Sequence, residues 1–563
     1  MLRCGTLHVT DWIVWVCMVD HAQEFDYIIV GAGSSGCVLA NRLTEDSDVS
    51  VLVLEAGDMD RNFLFHWPAG FARMTKGIAS WGWSTVPQKH MANRVLWYTQ
   101  AKVIGGGSTI NAQVYTRGNG KDYDAWAEDG CEGWGFRDIL PYFKRAEGNE
   151  RFHDDYHGTD GPLGVCASRG TLPIADAFIR AAQQYGIPYN PDFNGRHQAG
   201  TGFYQLTQRN VKRSSTASAF LHPALTRPNL TLRAGEQVRR IVLEGTRAVG
   251  IETGNGIFRA RREVLVTSGA IGSPRLLLLS GIGPAEHLQS VGVDVQHNLP
   301  GVGQNLQDHL DLCTLGECSG RYSYDGYDKF PRSAIAALQY YLFKSGPVTS
   351  SLFESGLFWY SNDTVPLPDI QMHFGQGSGI EKGIVSIDKG GVTLNSAYMR
   401  PKSRGSVTLA SADPNDAPLI DPNYWAEPED LEGSLRGLEI SREIMSQPAF
   451  QPYLSREALP GRKVKTREDL YEYACGMAKT QHHPVGTCRM GLGEMAVVDP
   501  ELRVHGIDGL RVCDSSIMPT INSSNTNAAT IMVGEKASDM VRGLDPLLPA
   551  VLKHNDGPTR DIA

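Results

Sequence analysis

The chain has 563 residues, of which 41% are hydrophobic and 20% are charged, and its mean hydropathy is −0.26. This is the composition of a globular protein, and a chain of this length is expected to divide into two or more domains. A formal net charge of −9, with no Lys/Arg-rich run, argues against nucleic acid as a partner.

Ten cysteines are scattered along the chain. They form no CxxC pair and no Cys/His ligand spacing, so the sequence predicts no metal site. Reduced and mostly buried thiols are expected in such a chain, and they favour a cytoplasmic location.

Residues 1–23 form an extension ahead of the first recognisable strand. Its apolar stretch, residues 12–19, is shorter than the roughly 18 residues that cross a membrane, and no transmembrane segment is predicted elsewhere. The stretch also lacks a small-residue cleavage site for a signal peptide. We interpret the extension as a start assigned too early, with Met18 as the working start. A tail that associates weakly with a membrane is the alternative, which would place the protein peripherally on a membrane.

The first predicted unit is a strand, a glycine turn, a helix and a second strand. Residues 27–30 are apolar and β-rich, and they lead into Gly31, Gly33 and Gly36 of a GxGxxG motif. The first glycine permits the tight turn, the second lets the backbone approach a pyrophosphate, and the third lets the helix pack on the sheet. The second strand ends at Glu55, which is placed to accept hydrogen bonds from a ribose diol. The sequence therefore predicts a dinucleotide site.

The following elements extend this α/β pattern. A second glycine cluster occupies residues 104–111, and residues 238–252 alternate around a turn at Glu244-Gly245, which predicts a hairpin. A buried strand is predicted over residues 263–270 and a helix over 274–279. Residues 321–465 are richer in aromatic residues and proline, which indicates a separate domain. Residues 510–542 return to strand–loop–helix character.

Five segments together resemble the glucose–methanol–choline oxidoreductase family. They are residues 101–124, 269–283, 299–309, 483–490 and 514–541. The resemblance spans nearly the whole chain and implies a mixed α/β fold, with a Rossmann-like FAD-binding domain and a substrate domain built on an antiparallel sheet. Within the family the chain is similar to choline-dehydrogenase-like members, including those that oxidise L-sorbose or polyethylene glycol.

The resemblance also implies a domain order that differs from the chain order. Residues 24–320 are expected to form most of the FAD-binding domain, with intervening substrate or cap segments near 60–100 and 150–210. Residues 321–465 are expected to bind substrate. Residues 466–545 are expected to return to the FAD domain and to carry the catalytic residues.

Alcohol oxidation by a flavin needs a base for the hydroxyl proton, and histidine suits this task because its pKa lies near neutrality. Both His482 and His483 qualify by composition. The family motif His-Pro-Val-Gly-Thr selects His483, and it leaves His482 as a neighbouring structural residue or as a wall of the substrate pocket. The second polar residue of the family matches Asn525, which would hold the substrate oxygen; alternatively, Asn525 and Asn527 only cap the last helix.

The expected cofactor is FAD, bound without a covalent bond, because Ile110 stands where some relatives carry the histidine that attaches the flavin. Asp514 matches a position near the ribityl–pyrophosphate region, with a turn aspartate as the alternative, and Val238 matches a position that meets adenine. The full predicted cofactor set is Gly31, Gly33, Ser34, Ser35, Gly36, Glu55, Gly106, Gly107, Ser108, Asn111, Val238, Asp514 and Asn527.

Glu354 matches a glutamate that choline-oxidising relatives place against the trimethylammonium group, although a structural hydrogen-bonding role fits equally. The function expected is oxidation of a primary alcohol, polyol or sugar, with electrons passed to a quinone or a haem protein. The alternatives are choline oxidation, the use of oxygen, a flavin-dependent lyase or photodecarboxylase, and a nicotinamide dehydrogenase. The sequence does not indicate the oligomeric state.

Overall fold

The computed structural model describes residues 3–9, 12–18, 23–74, 77–379, 387 and 390–552. Arg3–Val9 pairs antiparallel with Trp12–Met18, and the rest of the predicted extension up to residue 22 lies outside the described residues. The described helices are Ser34–Leu43, Phe71–Met74, Gly107–Ile110, Gly120–Glu128, Phe136–Ala146, Pro173–Tyr185, His222–Ala224, Gly269–Leu279, Ala285–Ser290, Arg332–Phe343, Pro428–Met445, Arg467–Met477 and Asn527–Arg542.

A seven-stranded sheet carries the predicted dinucleotide unit. Its strands lie in the order Leu230–Ala234, Val51–Glu55, Gln23–Val30, Gly256–Val266, Arg247–Thr253 and Val238–Glu244, with Leu510–Val512 paired to Gly256–Val266. The strands from Leu230–Ala234 to Gly256–Val266 pair in parallel, as does Leu510–Val512. Their central parts are apolar and buried, as in residues 27–30, 51–54 and 264–266, because helices cover both faces of a parallel sheet. The predicted hairpin over residues 238–252 is confirmed.

Two helices from opposite ends of the chain pack together on this sheet. Ser34–Leu43 follows the first strand, and Asn527–Arg542 is the last helix. A Cβ added at Gly534 would lie 3.0 Å from the backbone of Ser35, so the helices approach closely where glycine stands. This contact brings the C-terminal segment to the glycine turn at the start of the fold.

A second seven-stranded sheet is antiparallel throughout. Its strands lie in the order Leu454–Leu459, Leu310–Cys318, Gly391–Tyr398, Ile370–Gly375, Ser355–Trp359 and Gly200–Phe203, with Lys479–Thr480 paired to Leu310–Cys318. Four of these strands lie within the predicted substrate domain, residues 321–465, and the other three lie outside it. The predicted domain boundaries remain predictions.

The edge of the second sheet positions two segments of the chain side by side. Leu310 pairs with Thr480 and Asp311 with Lys479, so residues 308–309 enter the sheet next to the point where residues 481–483 leave it. Smaller sheets fill the remaining space: Val114–Tyr115, Gln205–Leu206, Leu163–Ala167 and Glu147–Asn149 form one, and Gln304–Leu306, Gly405–Thr408 and Leu419–Asp421 form another. Among the described residues, no helix is both long and apolar enough to cross a membrane.

Candidate active site

One cavity runs between the two large sheets and reaches both ends of the predicted site. At one end it is lined by Gly31, Gly33, Ser34, Ser35 and Glu55, and at the other by His482, His483 and Asn525. Gly106, Gly107, Asn111, Val238, Asp514 and Asn527 also line it. Three predicted residues, Gly36, Ser108 and Glu354, do not line it.

The glycine turn has the geometry that the sequence predicts. Gly31 has φ +108°, and a Cβ there would lie 2.7 Å from the carbonyl oxygen of Thr267, so the position requires glycine. A Cβ at Gly36 would lie 2.0 Å from the carbonyl oxygen of Gly31, which explains why Gly36 serves packing and does not reach the cavity. At Gly33 the nearest atom to an added Cβ, the Thr267 oxygen, is 3.5 Å away, which leaves the cavity side open.

The residues around this turn fit the diphosphate and ribose of a dinucleotide. The N-terminus of helix Ser34–Leu43 faces the cavity, and the buried Oγ of Ser35 has no hydrogen-bond partner among the described residues. The Glu55 carboxylate accepts hydrogen bonds from the backbone N–H of Ala32 at 3.0 Å and of Gly57 at 2.7 Å. Burial raises the pKa of Glu55 to about 7. Its oxygens keep further lone pairs for ribose hydroxyls.

The second glycine cluster and Asp514 support the cavity from the other side. The Oγ of Ser108 donates to the carbonyl of Gly105 at 2.6 Å and accepts from the N–H of Thr216, so Ser108 fixes the loop and does not face the cavity. Asp514 accepts hydrogen bonds from the N–H of Gly269 and from the hydroxyl of Ser273. Burial raises the pKa of Asp514. Asp514 thus lines the cavity and also accepts the N–H of Ser516 in its own turn, while its place near the ribityl–pyrophosphate region remains a prediction.

Ile110 lines the cavity with an aliphatic side chain, which has no atom that can form a covalent bond to a flavin. Ser34 joins the two ends of the chain, because its hydroxyl donates to the Asn527 amide oxygen at 2.7 Å. The last helix begins at Asn527 after the N-cap residue Thr526, and no side chain accepts a capping hydrogen bond there. The alternative that Asn525 and Asn527 cap this helix is therefore wrong, and Asn525 is available to the cavity.

His483 and Asn525 are in direct contact. The Asn525 Nδ2 lies 3.1 Å from the His483 Nε2, while the Asn525 Oδ1 accepts hydrogen bonds from Thr116 at 3.0 Å and from Gln371 at 3.1 Å. Those two donors fix the amide so that its NH₂ group points to His483. The Nε2 of His483 is then the acceptor, and its proton lies on Nδ1.

His309 holds the opposite side of the same imidazole. Its Nδ1 lies 3.1 Å from the His483 Nδ1, and its Nε2 lies 3.2 Å from the carbonyl oxygen of Met399. Because a carbonyl only accepts, His309 carries its proton on Nε2 and offers Nδ1 as acceptor to the N–H of His483. The chain of hydrogen bonds assigns one tautomer to each ring.

Burial keeps these imidazoles neutral. It lowers the pKa of His309 to about 3 and that of His373, another wall of the cavity, to about 4. The pKa of His483 lies well below its usual value, first because the ring is buried and then because His309, His373 and His482 surround it. A neutral His483 whose Nε2 carries no proton can accept one at neutral pH.

Asp308 fixes the backbone on which His483 stands. One carboxylate oxygen accepts the N–H of His483 at 2.8 Å, and the other accepts hydroxyls from Thr480 at 2.5 Å, Tyr98 at 2.9 Å and Tyr424. Burial raises the pKa of Asp308, and the hydrogen bonds of Thr480 and Tyr424 oppose that rise.

His482, the residue before, has φ +62°, an uncommon conformation for a residue other than glycine. Its N–H donates to the Thr480 Oγ1 at 2.7 Å, so Asp308 and Thr480 together hold this strained turn. Sequence reasoning assigned no role to Asp308 or His309, although both end the family-like segment 299–309.

Glu354 is fully buried away from the cavity wall. Its carboxylate accepts hydrogen bonds from the hydroxyl of Ser350 and the amide of Gln376. Burial raises its pKa to about 7. The predicted contact with substrate finds no support here, whereas the structural hydrogen-bonding reading fits. Asp311, Asn395, Lys479 and Gln481 instead provide polar groups on the cavity wall near His483.

Family profiles described as GMC oxidoreductase match residues 25–311 and 401–534. The chain belongs to the GMC oxidoreductase family. It is 43% identical over 533 residues to an oxygen-dependent choline dehydrogenase of Brucella ovis, which covers 93% of this chain and 97% of that protein. It is 40% identical over 538 residues to an alcohol dehydrogenase (acceptor) of Pseudomonas putida, covering 92% and 95%. The crystal structure of pyridoxine 4-oxidase from Mesorbium loti matches with TM-score 0.84 and 30% identity, over 92% of this chain and 100% of that one.

GMC oxidoreductases are FAD-dependent flavoproteins, and this chain is an FAD-dependent oxidoreductase that acts on CH–OH groups. The glycine turn, the unpartnered Ser35 hydroxyl and the Glu55 carboxylate fit the ADP half of that cofactor. The sequence-based recognition of the family, its cofactor and the fold class is confirmed.

Proposed function

We propose that the protein oxidises a primary alcohol, a polyol or a sugar such as L-sorbose, with His483 as the base and Asn525 as the residue that orients the hydroxyl. The observation that carries this proposal is the pairing of His483 with Asn525 at the cavity, where the Asn525 Nδ2 lies 3.1 Å from the His483 Nε2. Bound FAD supplies the acceptor for the carbinol hydride. His483 takes the hydroxyl proton at Nε2, and the Asn525 NH₂ group stabilises the developing alkoxide.

The polar wall near His483 supports a hydroxylated substrate. Asp311, Asn395, Lys479 and Gln481 offer both acceptors and donors, which suits several hydroxyl groups better than a long alkyl chain. Choline is the second candidate, because a relative at 43% identity is named a choline dehydrogenase and because the Asp311 carboxylate could face a trimethylammonium group.

We further propose that FAD is bound without a covalent bond and that electrons pass to a quinone or a haem protein. The aliphatic Ile110 supports the first proposal, and the name of the Pseudomonas putida relative, an alcohol dehydrogenase (acceptor), supports the second. Eight cysteines of the described residues are free and buried, which favours a cytoplasmic location.

A panel of alcohols with a dye as electron acceptor, run beside oxygen consumption, tests the proposal. We expect dye reduction with polyols, sugars or primary alcohols, and little oxygen uptake. If choline were the only alcohol oxidised, and if Asp311→Asn abolished that activity, choline oxidation would replace polyol oxidation as the proposed function. No dye reduction or oxygen uptake with any alcohol would refute alcohol oxidation. Flavin released by acid denaturation is the expected result for noncovalent binding.

A further inference from the structure

Helix Arg332–Phe343 exposes an unusually apolar face. Ile335, Leu338, Tyr341, Leu342 and Phe343 are each between 58% and 71% exposed, and Phe330 just before the helix is 86% exposed. We call these six residues the apolar helix face. Together they present roughly 600 Å² of apolar surface, the upper end of what a monomer usually exposes as one patch.

The opposite side of the helix packs on the protein. Ala336 and Tyr340 are buried against Val211 and Val348, and the Tyr340 hydroxyl donates to the carbonyl of Val211 at 3.0 Å. Ile335, Leu338 and Leu342 follow the i, i+3, i+7 spacing of one helix face. The helix is therefore apolar around most of its circumference, and most of that apolar surface is exposed.

Most charges next to the apolar helix face are positive. Residues 329–344 contain Lys329, Arg332 and Lys344 and no acidic residue, and Asp328 just before them pairs with Arg73 at 3.8 Å. Lys344 Nζ lies 5.3 Å from the ring of Tyr340, and the Arg332 guanidinium lies 5.9 Å from that of Tyr327. Aromatic rings and basic groups at the margins of an exposed apolar face are the features of a helix that lies in a membrane interface.

The face lies beside a wall of the active-site cavity. Trp67 packs on Tyr340 and Tyr341 with ring centroids 5.6 and 5.8 Å apart. Four residues later, Phe71 lines the cavity and contacts Phe353, another lining residue, with centroids 5.9 Å apart.

We propose that the apolar helix face docks on a lipid surface that carries anionic headgroups. The apolar side chains would enter the interface, while Lys329, Arg332 and Lys344 meet the headgroups. Docking on lipid does not depend on which substrate the protein oxidises. Its consequence does rest on the proposed function: docking would bring an electron acceptor dissolved in the lipid close to the cavity wall at Phe71.

Charge favours lipid over a second copy of the chain. Either two-fold pairing of this helix would place cations opposite cations, because Arg332 stands at one end and Lys344 at the other. An anionic lipid surface does not meet this objection.

Sedimentation of the flavin-loaded full chain with vesicles tests the proposal. We expect binding to vesicles of phosphatidylcholine with phosphatidylglycerol, at least tenfold weaker binding of Leu338→Ser/Leu342→Ser, and loss of the phosphatidylglycerol preference in Arg332→Glu/Lys344→Glu. The control, Leu548→Ser/Val551→Ser, removes two apolar side chains elsewhere that are more exposed, at 88% and 87% against 59% for Leu338 and 63% for Leu342, and is expected to bind like the wild type.

Dye reduction, measured for every variant without vesicles, shows whether the fold and the active site are intact, independently of docking. If the wild type itself reduced no dye, the proposed function would be refuted and the docking proposal would not be affected. The docking proposal is overturned if the wild type stays in the supernatant with both vesicle types, or if the Leu338→Ser/Leu342→Ser variant binds like the wild type. A dimer in solution that this variant converts to a monomer would likewise overturn it, in favour of a protein interface.

Discussion

Replacing Asn525 by aspartate places a negative charge next to the proposed base. The new carboxylate keeps the shape of the amide, and it keeps the acceptor oxygen for Thr116 and Gln371. It also brings an oxygen to about the 3.1 Å that now separates the amide nitrogen from the His483 Nε2. The carboxylate favours the imidazolium, so Asn525→Asp raises the pKa of His483.

The size of this effect follows from the distance. At 3.1 Å and an effective dielectric constant of about 20, two unit charges attract by about 5 kcal/mol before desolvation. Ion pairs at such distances shift a pKa by about 1–3 units. The base must be neutral to accept a proton, so the acid limb of the kcat/KM profile moves up by this amount. At pH values below the acid limbs of both the wild type and Asn525→Asp, kcat/KM of the variant is about 10- to 1000-fold lower than that of the wild type.

The assay is dye-coupled kcat/KM across the acid range, with flavin content measured for each variant. Asn527→Asp is the matched control, because it adds the same charge to another cavity-lining amide and its acid limb should stay in place. Asn525→Leu removes the amide without adding charge, so it should lose rate without moving the limb upward. An unchanged acid limb in Asn525→Asp would refute the electrostatic reasoning.

Three further substitutions probe other parts of the account. His309→Leu removes the acceptor for the His483 Nδ1–H and leaves a buried donor unpaired, so kcat should fall about 10- to 100-fold while KM changes less; an unchanged kcat would show that His309 does not position the ring. Ser35→Ala should weaken FAD binding about tenfold in a flavin titration, with the apoprotein unfolding at the wild-type temperature. Equal FAD affinity would remove Ser35 from the phosphate site. In the wild type, Glu354 retains its proton in the folded state up to about pH 7, so up to about 3 kcal/mol of stability is lost as pH rises from about 4.5 through 7. Glu354→Gln should lose less unfolding temperature between pH 5 and 8 than the wild type does, and an equal loss would contradict this linkage.

The sequence predicted the parts of the site that local geometry dictates. The turn at Gly31 and Gly36 was predictable because their spacing encodes a backbone path that other residues cannot follow. The neighbouring His483 and Asn525 segments were found through motifs that resemble those of the family. Each of these signals lies within a short stretch of chain.

The remaining features depend on contacts between distant segments. His309 contacts His483 across 174 residues, and the Asp308 carboxylate accepts hydrogen bonds from three segments, at Tyr98, at Tyr424 and at residues 480–483, so no local pattern predicts either contact. Glu354 shows the opposite case, in which a matching motif position folds away from the cavity because Ser350 and Gln376 satisfy its carboxylate. The sequence did not indicate whether the side chain of Glu354 faces the cavity or the protein interior.

Anaerobic stopped-flow reduction of the bound flavin by an alcohol substrate tests the central claim that His483 takes the hydroxyl proton. In His483→Gln, we expect the rate of flavin reduction to fall about 10²- to 10⁴-fold while FAD stays bound. The pH dependence that the imidazole imposes should vanish with it. A variant that reduces its flavin within a few-fold of the wild-type rate would contradict the account.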